Sequence, residues 1–160
     1  MSLKKQAIPK SYPNLQDLKP MEVKEVAIAG KSYTRFSHSG RMKVIREKMP
    51  YHSLESLSER SGLSIKLFLE KLEMPQTTYN KKKRENGLLD RRDSELVLVL
   101  AEVLDYGLEV FNDEKEKFQR WLKKVNFSLG GVSPDSLFDS ITGVEQVKNA
   151  LDRIEHGVFA

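Results

Sequence analysis

The sequence predicts an all-α protein, with a helix-turn-helix-like N-terminal bundle joined by one long helix to a small C-terminal helical domain. Three observations predict it. From Arg41 onward, apolar residues recur at helical spacing. The segments carrying them are bounded by capping residues, prolines and glycines at left-handed positions. The first forty residues, with Pro9, Pro13, Pro20 and scattered lysines, hold only a brief apolar alternation at Val23, Val26 and Ile28.

Residues 1–40 are accordingly expected to be a largely disordered basic arm with room for one ordered segment. A first helix should run from Arg41 through Met42, Val44 and Ile45 to a stop at Met49-Pro50. A second runs from Ser53, with Leu54 and Leu57 inward, to Gly62 at a left-handed C-terminal position. Ser64 caps a third, with Leu63 and Phe68 at the spacing of a hydrophobic staple. Pro75 opens a fourth, Gln76 to Arg84, and Asn86-Gly87 ends it.

Those last two helices have the arrangement of a helix-turn-helix. In the second, Gln76 and Asn80 can pair with adenine edges. Thr77, Thr78, Lys81, Lys82 and Arg84 complete a polar face able to hold phosphates. The motif departs from its usual pattern at Leu69, where a small residue is common, at Glu73, in place of the turn glycine, and at Lys82, at a position normally buried. The alternative reading of Lys81 to Arg84 is a solvated helix end whose charge suits the helix dipole.

Asp90 caps a long helix to about Phe111, with Leu96, Leu100, Val103, Leu104 and Leu108 on one face. Val97 and Val99 widen that face, so surface should remain for a second copy, and residues 41–107 are read as the DNA-binding and dimerisation region of a homodimer. Gly107 costs about 1 kcal/mol against alanine and permits close helix approach. Asp113 with Glu116, and Thr142 with Glu145, are capping-box spacings that start helices near 114 and 143. Trp121 shares a helical face with Phe118 and Leu122 and reads as core, and Ser133-Pro134 starts a short helix to Asp139.

With 160 residues, 39% hydrophobic and 31% charged, the chain holds one domain or two small ones. The net charge of +4 hides an asymmetry: residues 1–50 carry 11 basic and 4 acidic side chains, and residues 93–160 carry 7 and 13. This split points to a polyanion contact in front and a different partner behind. No apolar run reaches bilayer length and no cysteine is present, so a cytoplasmic protein is expected.

Chemistry finds little purchase. His38, His52 and His156 lack metal-ligand spacing, no serine stands in a nucleophile elbow, and Gly130-Gly131 lacks the full phosphate-loop pattern. No enzyme activity, metal or cofactor is expected.

Arg120-Trp121-Leu122, Asn126, Leu129-Gly130-Gly131, Ser133-Pro134, Leu137, Val147, Leu151 and the terminal Arg153 to Ala160 together resemble the C-terminal toxin-binding domain of Xre/MbcA/ParS antitoxins. The resemblance is strong over 108–160, looser over 41–107 and absent from 1–40. It implies that residues 108–160 cover the active site of a RES-type toxin, which attacks NAD or uses it for ADP-ribosylation. It implies also that the helix-turn-helix-like portion binds the operon's own promoter. The C-terminal residues Gly157, Val158, Phe159 and Ala160 would then lie near the toxin's entrance, with Arg153, Glu155 and His156 supplying polar contacts. Two alternatives stay open: the tail folds back on its own domain, or the chain is a stand-alone DNA-binding regulator whose C-terminal region only oligomerises.

Overall fold

In the computed structural model, which describes residues 24–157, Val26 and Ile28 are buried while Glu25 and Ala27 are exposed. This period-two pattern forms β1 (Glu25–Ile28), which pairs antiparallel with β2 (Lys31–Thr34) in the register Val26↔Tyr33 and Ile28↔Lys31. Ala29 and Gly30 both have positive φ, as a two-residue hairpin loop requires. A lone hairpin is marginal in water, and this one packs on the helices. It is the ordered segment foreshadowed by the alternation and a small addition to an otherwise helical fold. Val23 lies outside the described residues.

Among the described residues seven α-helices follow: α1 (His38–Glu47), α2 (Ser53–Ser61), α3 (Ile65–Lys71), α4 (Gln76–Arg84), α5 (Arg91–Val110), α6 (Lys115–Lys123) and α7 (Ile141–Glu155). Short 3-10 turns at Phe127–Leu129 and Pro134–Leu137 lie between the last two. α1 starts three residues before Arg41, because Ser37 accepts from the Gly40 amide. Gly62 closes α2 with φ 69°, and Ser64 caps α3 by accepting from the Leu67 amide.

α5 is the centre of the molecule. It packs against α1, α2, β1, α6 and α7, and every residue from Leu96 to Leu104 is buried. A helix that is apolar all round must be covered all round. Its own chain does the covering, so the surface expected along α5 for a second copy is already occupied. The buried hydrophobic residues, from Val26 to Leu151, form one cluster around this helix.

Glu102 sits inside that cluster, 1% exposed. Its carboxylate accepts from Arg41 Nε at 3.1 Å, from an Arg41 terminal nitrogen at 2.9 Å and from the Phe36 amide at 2.8 Å. Burial pushes its pKa up, against the pull of Arg41. The pair ties α1 and the end of the hairpin to α5.

Two close approaches set the C-terminal helices, one of α6 on α5 and one of α7 on the 3-10 turn before it. A Cβ on Gly107 would lie 2.2 Å from Phe118 Cζ, so glycine is what lets the α6 aromatic reach the α5 backbone. Gly143, in the first turn of α7, lies so near the Leu137 carbonyl that a Cβ would meet it at 2.2 Å.

Both capping boxes are corrected, although α6 does begin within one residue of the expected 114. Asp113 has φ 61°, in the tight turn after α5, and a residue so placed does not take the extended backbone of an N-cap; α6 begins at Lys115 without a side-chain cap. α7 begins two residues early because extended Ser140, not Thr142, accepts from the Gly143 amide at 3.1 Å. The helix foreseen from Pro134 to Asp139 is a 3-10 turn that stops at Leu137.

Candidate functional site

Two surfaces carry the sequence-predicted residues. The first is α4. Its bounds, Gln76 to Arg84, are those expected from Pro75 and Asn86-Gly87. Leu72 to Pro75 make the turn from α3, with Glu73 at φ 52°; the left-handed position is met by a non-glycine residue, at roughly 1–2 kcal/mol.

Tyr79 is the one residue of α4 that is buried, and it packs near Tyr51 with ring centroids 6.4 Å apart. One buried anchor leaves the remaining face outward, so Gln76, Thr77, Thr78, Asn80, Lys81, Lys82 and Arg84 are all exposed. Lys82, expected at a normally buried position, keeps its charge in solvent here. Gln76 donates to Asn80 Oδ1 at 3.1 Å, and Arg84 Nε to the Asn80 carbonyl at 3.3 Å, which order the amide pair along the face. Lys83 is drawn away into an ion pair with Glu55 of α2.

The second surface lies between α6, the loop after it and α7. Ring centroids of Phe111, Phe118 and Trp121 lie 5.5–6.1 Å apart, an aromatic cluster under the loop. Phe118 is fully buried as expected, whereas Trp121 is only half-buried and faces a groove of about 580 Å³. Lys124, Val125, Phe127, Arg153 and Ile154 are among the other residues of its wall.

Asn126 organises the loop. Its side-chain oxygen accepts from the Ser128 amide at 2.9 Å and from Ser128 Oγ at 2.8 Å. Its amide and carbonyl bond to Val132 and Gly131 across the loop, at 2.9 and 3.1 Å. Gly130 and Gly131 take φ 78° and 79°, which the reversal needs. The outcome is that Phe127, at the tip, is 92% exposed.

The C-terminal residues predicted as a group are divided by the helix. Arg153 turns into the groove and donates to Ser128 Oγ at 3.2 Å. Glu155, two residues on and so on the far side of α7, accepts from the Tyr106 hydroxyl of α5. The same hydroxyl lies 2.7 Å from Asp152, which Lys148 also meets at 2.9 Å. Burial raises the Tyr106 pKa far above its ordinary value, and the two carboxylates raise it further. For Asp152, burial pushes up, but the Tyr106 hydroxyl and Lys148 outweigh it and hold the carboxyl below its usual range.

His156 Nδ1 lies 2.7 Å from the Asp152 carbonyl, and Gly157 ends the helix with φ 65°. Val158, Phe159 and Ala160 lie outside the described residues.

Lys124, Val125 and Phe127 are the groove residues that sequence reasoning missed. The available signal was two apolar side chains flanking Asn126 in a turn-rich loop, where no helical period requires them. Among the described residues, no three His, Asp or Glu side chains converge as metal ligands, and no helix is long and apolar enough to cross a membrane.

Residues 107–157, which contain the whole of this groove, match the Antitoxin Xre/MbcA/ParS C-terminal toxin-binding domain. Two proteins named Antitoxin Xre, from Photorhabdus laumondii and Yersinia enterocolitica, are each 30% identical over 83 and 87 residues, or 52% and 54% of this chain. The matched part spans 56% and 59% of those relatives, a little over half their length. A Sphingobium protein named Prs ADP-ribosylating antitoxin is 30% identical over 140 residues, 82% of this chain and 88% of its own length. The chain belongs to the Xre/MbcA/ParS antitoxin family.

Proposed function

We propose that this chain is the antitoxin of a type II toxin-antitoxin pair, that residues 108–160 bind and occlude the active site of a RES-like, NAD-consuming toxin, and that α4 represses the operon by binding its operator. The observation that carries the reading is the separation of two exposed faces on one scaffold: a basic, polar α4, and a groove inside the segment matched to a toxin-binding domain. The name of the Sphingobium relative supports ADP-ribosylation as the toxin's reaction, a transfer that consumes NAD.

On α4, the ordered Gln76–Asn80 pair offers donors and acceptors to base edges, and Lys81, Lys82 and Arg84 offer charge to phosphates. Arg91 and Arg92, exposed at the start of α5, oppose that helix's own dipole, so their charge is not there for helix stability. The homodimer belongs to the same reading, because two copies would present two α4 helices to a two-fold operator. With α5 covered, the second copy seats on another face.

On the toxin side, Arg153 and His156 with the tail Gly157, Val158, Phe159 and Ala160 stand at the toxin's entrance. Glu155 acts through Tyr106 to hold the end of α7 in place.

The test is co-expression with the product of the adjacent gene, with growth and co-purification as readouts. A neighbour that is toxic alone, and is both rescued and retained by this chain, is the expected result. Deleting residues 157–160 should then weaken neutralisation while leaving operator affinity intact. Tight operator binding without any toxic or retained neighbour would instead establish the stand-alone regulator, a reading that the free α4 face also accommodates.

A further inference from the structure

We infer that Phe127, projecting from the loop after α6, is the principal anchor for the toxin, and that the toxin's matching face is an apolar pocket bordered by carboxylates. The inference rests on the antitoxin reading and adds to it the surface that carries the affinity and the chemistry of what meets it.

Phe127 makes no contribution to folding that would explain it. It is 92% exposed, and Val125 beside it and Val132 across the loop are exposed too. Exposed apolar residues clustered this way mark an interaction surface on a folded domain. The loop also fixes the backbone at Phe127, through the Asn126 side chain, the Asn126–Val132 bridge and the left-handed Gly130 and Gly131. An anchor whose backbone is already ordered gives up only side-chain freedom when a partner closes on it, and aromatic anchors are enriched among the residues that dominate binding energy.

Charge identifies the partner's rim. Lys124 and Arg153 flank the groove, and among the described residues neither meets a carboxylate within ion-pair distance. Yet residues 93–160 carry six more acidic than basic side chains, 13 against 7. In an acidic region two cations left unneutralised at one groove select a partner that brings carboxylates. The groove falls wholly within the segment matched to a toxin-binding domain, which names the toxin over a second copy or the chain's own end.

The experiment uses the full chain and the purified product of the adjacent toxin gene. Phe127→Ala should raise the Kd at least about 30-fold, as for a central aromatic anchor, and Arg153→Glu should weaken binding further at low salt than at high salt. Because the Phe127 side chain is already in solvent, the melting temperature of the Phe127→Ala chain should match the wild type. Trp121 is the only tryptophan, so a chain grown with 5-fluorotryptophan gives one 19F resonance from the groove wall, and this should shift when toxin is added.

Wild-type binding with Phe127→Ala within about twofold of it would overturn the inference and leave the antitoxin reading standing. No binding by the wild type would overturn both. A 19F resonance that moves on deletion of residues 158–160 but not on toxin addition would assign the groove to the chain's own end. Loss of self-association in Phe127→Ala, with toxin affinity unchanged, would assign it to a second copy.

Discussion

α4 and the loop after α6 both point functional side chains into solvent, but by opposite physics. On α4 the exposed residues are charged or polar, and leaving them in water costs nothing; a solvated helix end would look the same. At the loop an aromatic side chain stands in water with its backbone locked around it. Exposure is therefore weak testimony to function on α4 and strong testimony at Phe127. Both faces trace back to α5, which is buried along Leu96 to Leu104: α6 and α7 pack on it directly, and α4 reaches it through α3 and α2.

That shared support is the place to break both faces at once. Glu102→Ala leaves Arg41 without its partner and the Phe36 amide without its acceptor inside the core. It should cost about 3–5 kcal/mol, the range for breaking a buried pair, read as a lower denaturant midpoint, with both binding activities lost together. A midpoint near that of the wild type would mean that the carboxylate's own burial cancels what the pair supplies.

A smaller change should separate the faces. Gly107→Val places a methyl-bearing Cβ within 2.2 Å of Phe118 Cζ. We expect a loss of about 1–3 kcal/mol in urea unfolding, with toxin binding impaired through Trp121 and operator affinity spared. Equal damage to both activities would show that the α6 contact and α4 are coupled through α5.

The α4 face is sharpened by replacing Lys81, Lys82 and Arg84 with alanine. The log–log slope of operator affinity against salt should flatten by up to about 3, since each lost phosphate contact removes nearly one released counterion. Toxin affinity should stay put. A slope equal to the wild type's would return these residues to the role of a solvated helix end.

The smallest effect concerns pH. Hydrogen bonds from Arg35 and Lys24 hold the Glu109 carboxyl below its usual range, against its partial burial. Its contribution to stability is therefore present above the unfolded value near 4.5 and fades as pH falls through the lower folded value. Glu109→Gln should make the melting temperature less steep in acid. The effect is modest because Glu109 itself is more than a third exposed, so solvent screens part of its interaction with the buried Arg35. Glu102, raised by burial, works in the opposite sense, its penalty easing as the pH falls through its folded value.

Several elements were legible because their determinants are local. α4 begins after Pro75 and ends before Asn86-Gly87, α5 begins at Asp90 whose carboxylate accepts from the Asp93 amide at 2.7 Å, and Gly62 and Gly157 close their helices with positive φ. A cap is a bond between residues three apart, so sequence spacing contains it. Asp113 and Thr142 have the same spacing and fail because Asp113 lies in the left-handed turn after α5, and because Ser140 caps α7 two residues ahead of the expected start. Where several candidates share that spacing, it alone does not say which one the backbone lets cap.

By itself the sequence determined the helical class, the order of the helices, the polar face of α4, the basic front and acidic back, and the family. Each follows from neighbours along the chain, where helical geometry is periodic and caps are short-range. Only the tertiary structure decided that α5 is enclosed by its own chain, that Glu155 turns to Tyr106 while Arg153 turns to the groove, and that Phe127 is left outside. Burial depends on which distant elements arrive at a residue's side, and Phe118 and Phe127, alike as residues, end at 0% and 92% exposure because only one had a partner waiting at Gly107.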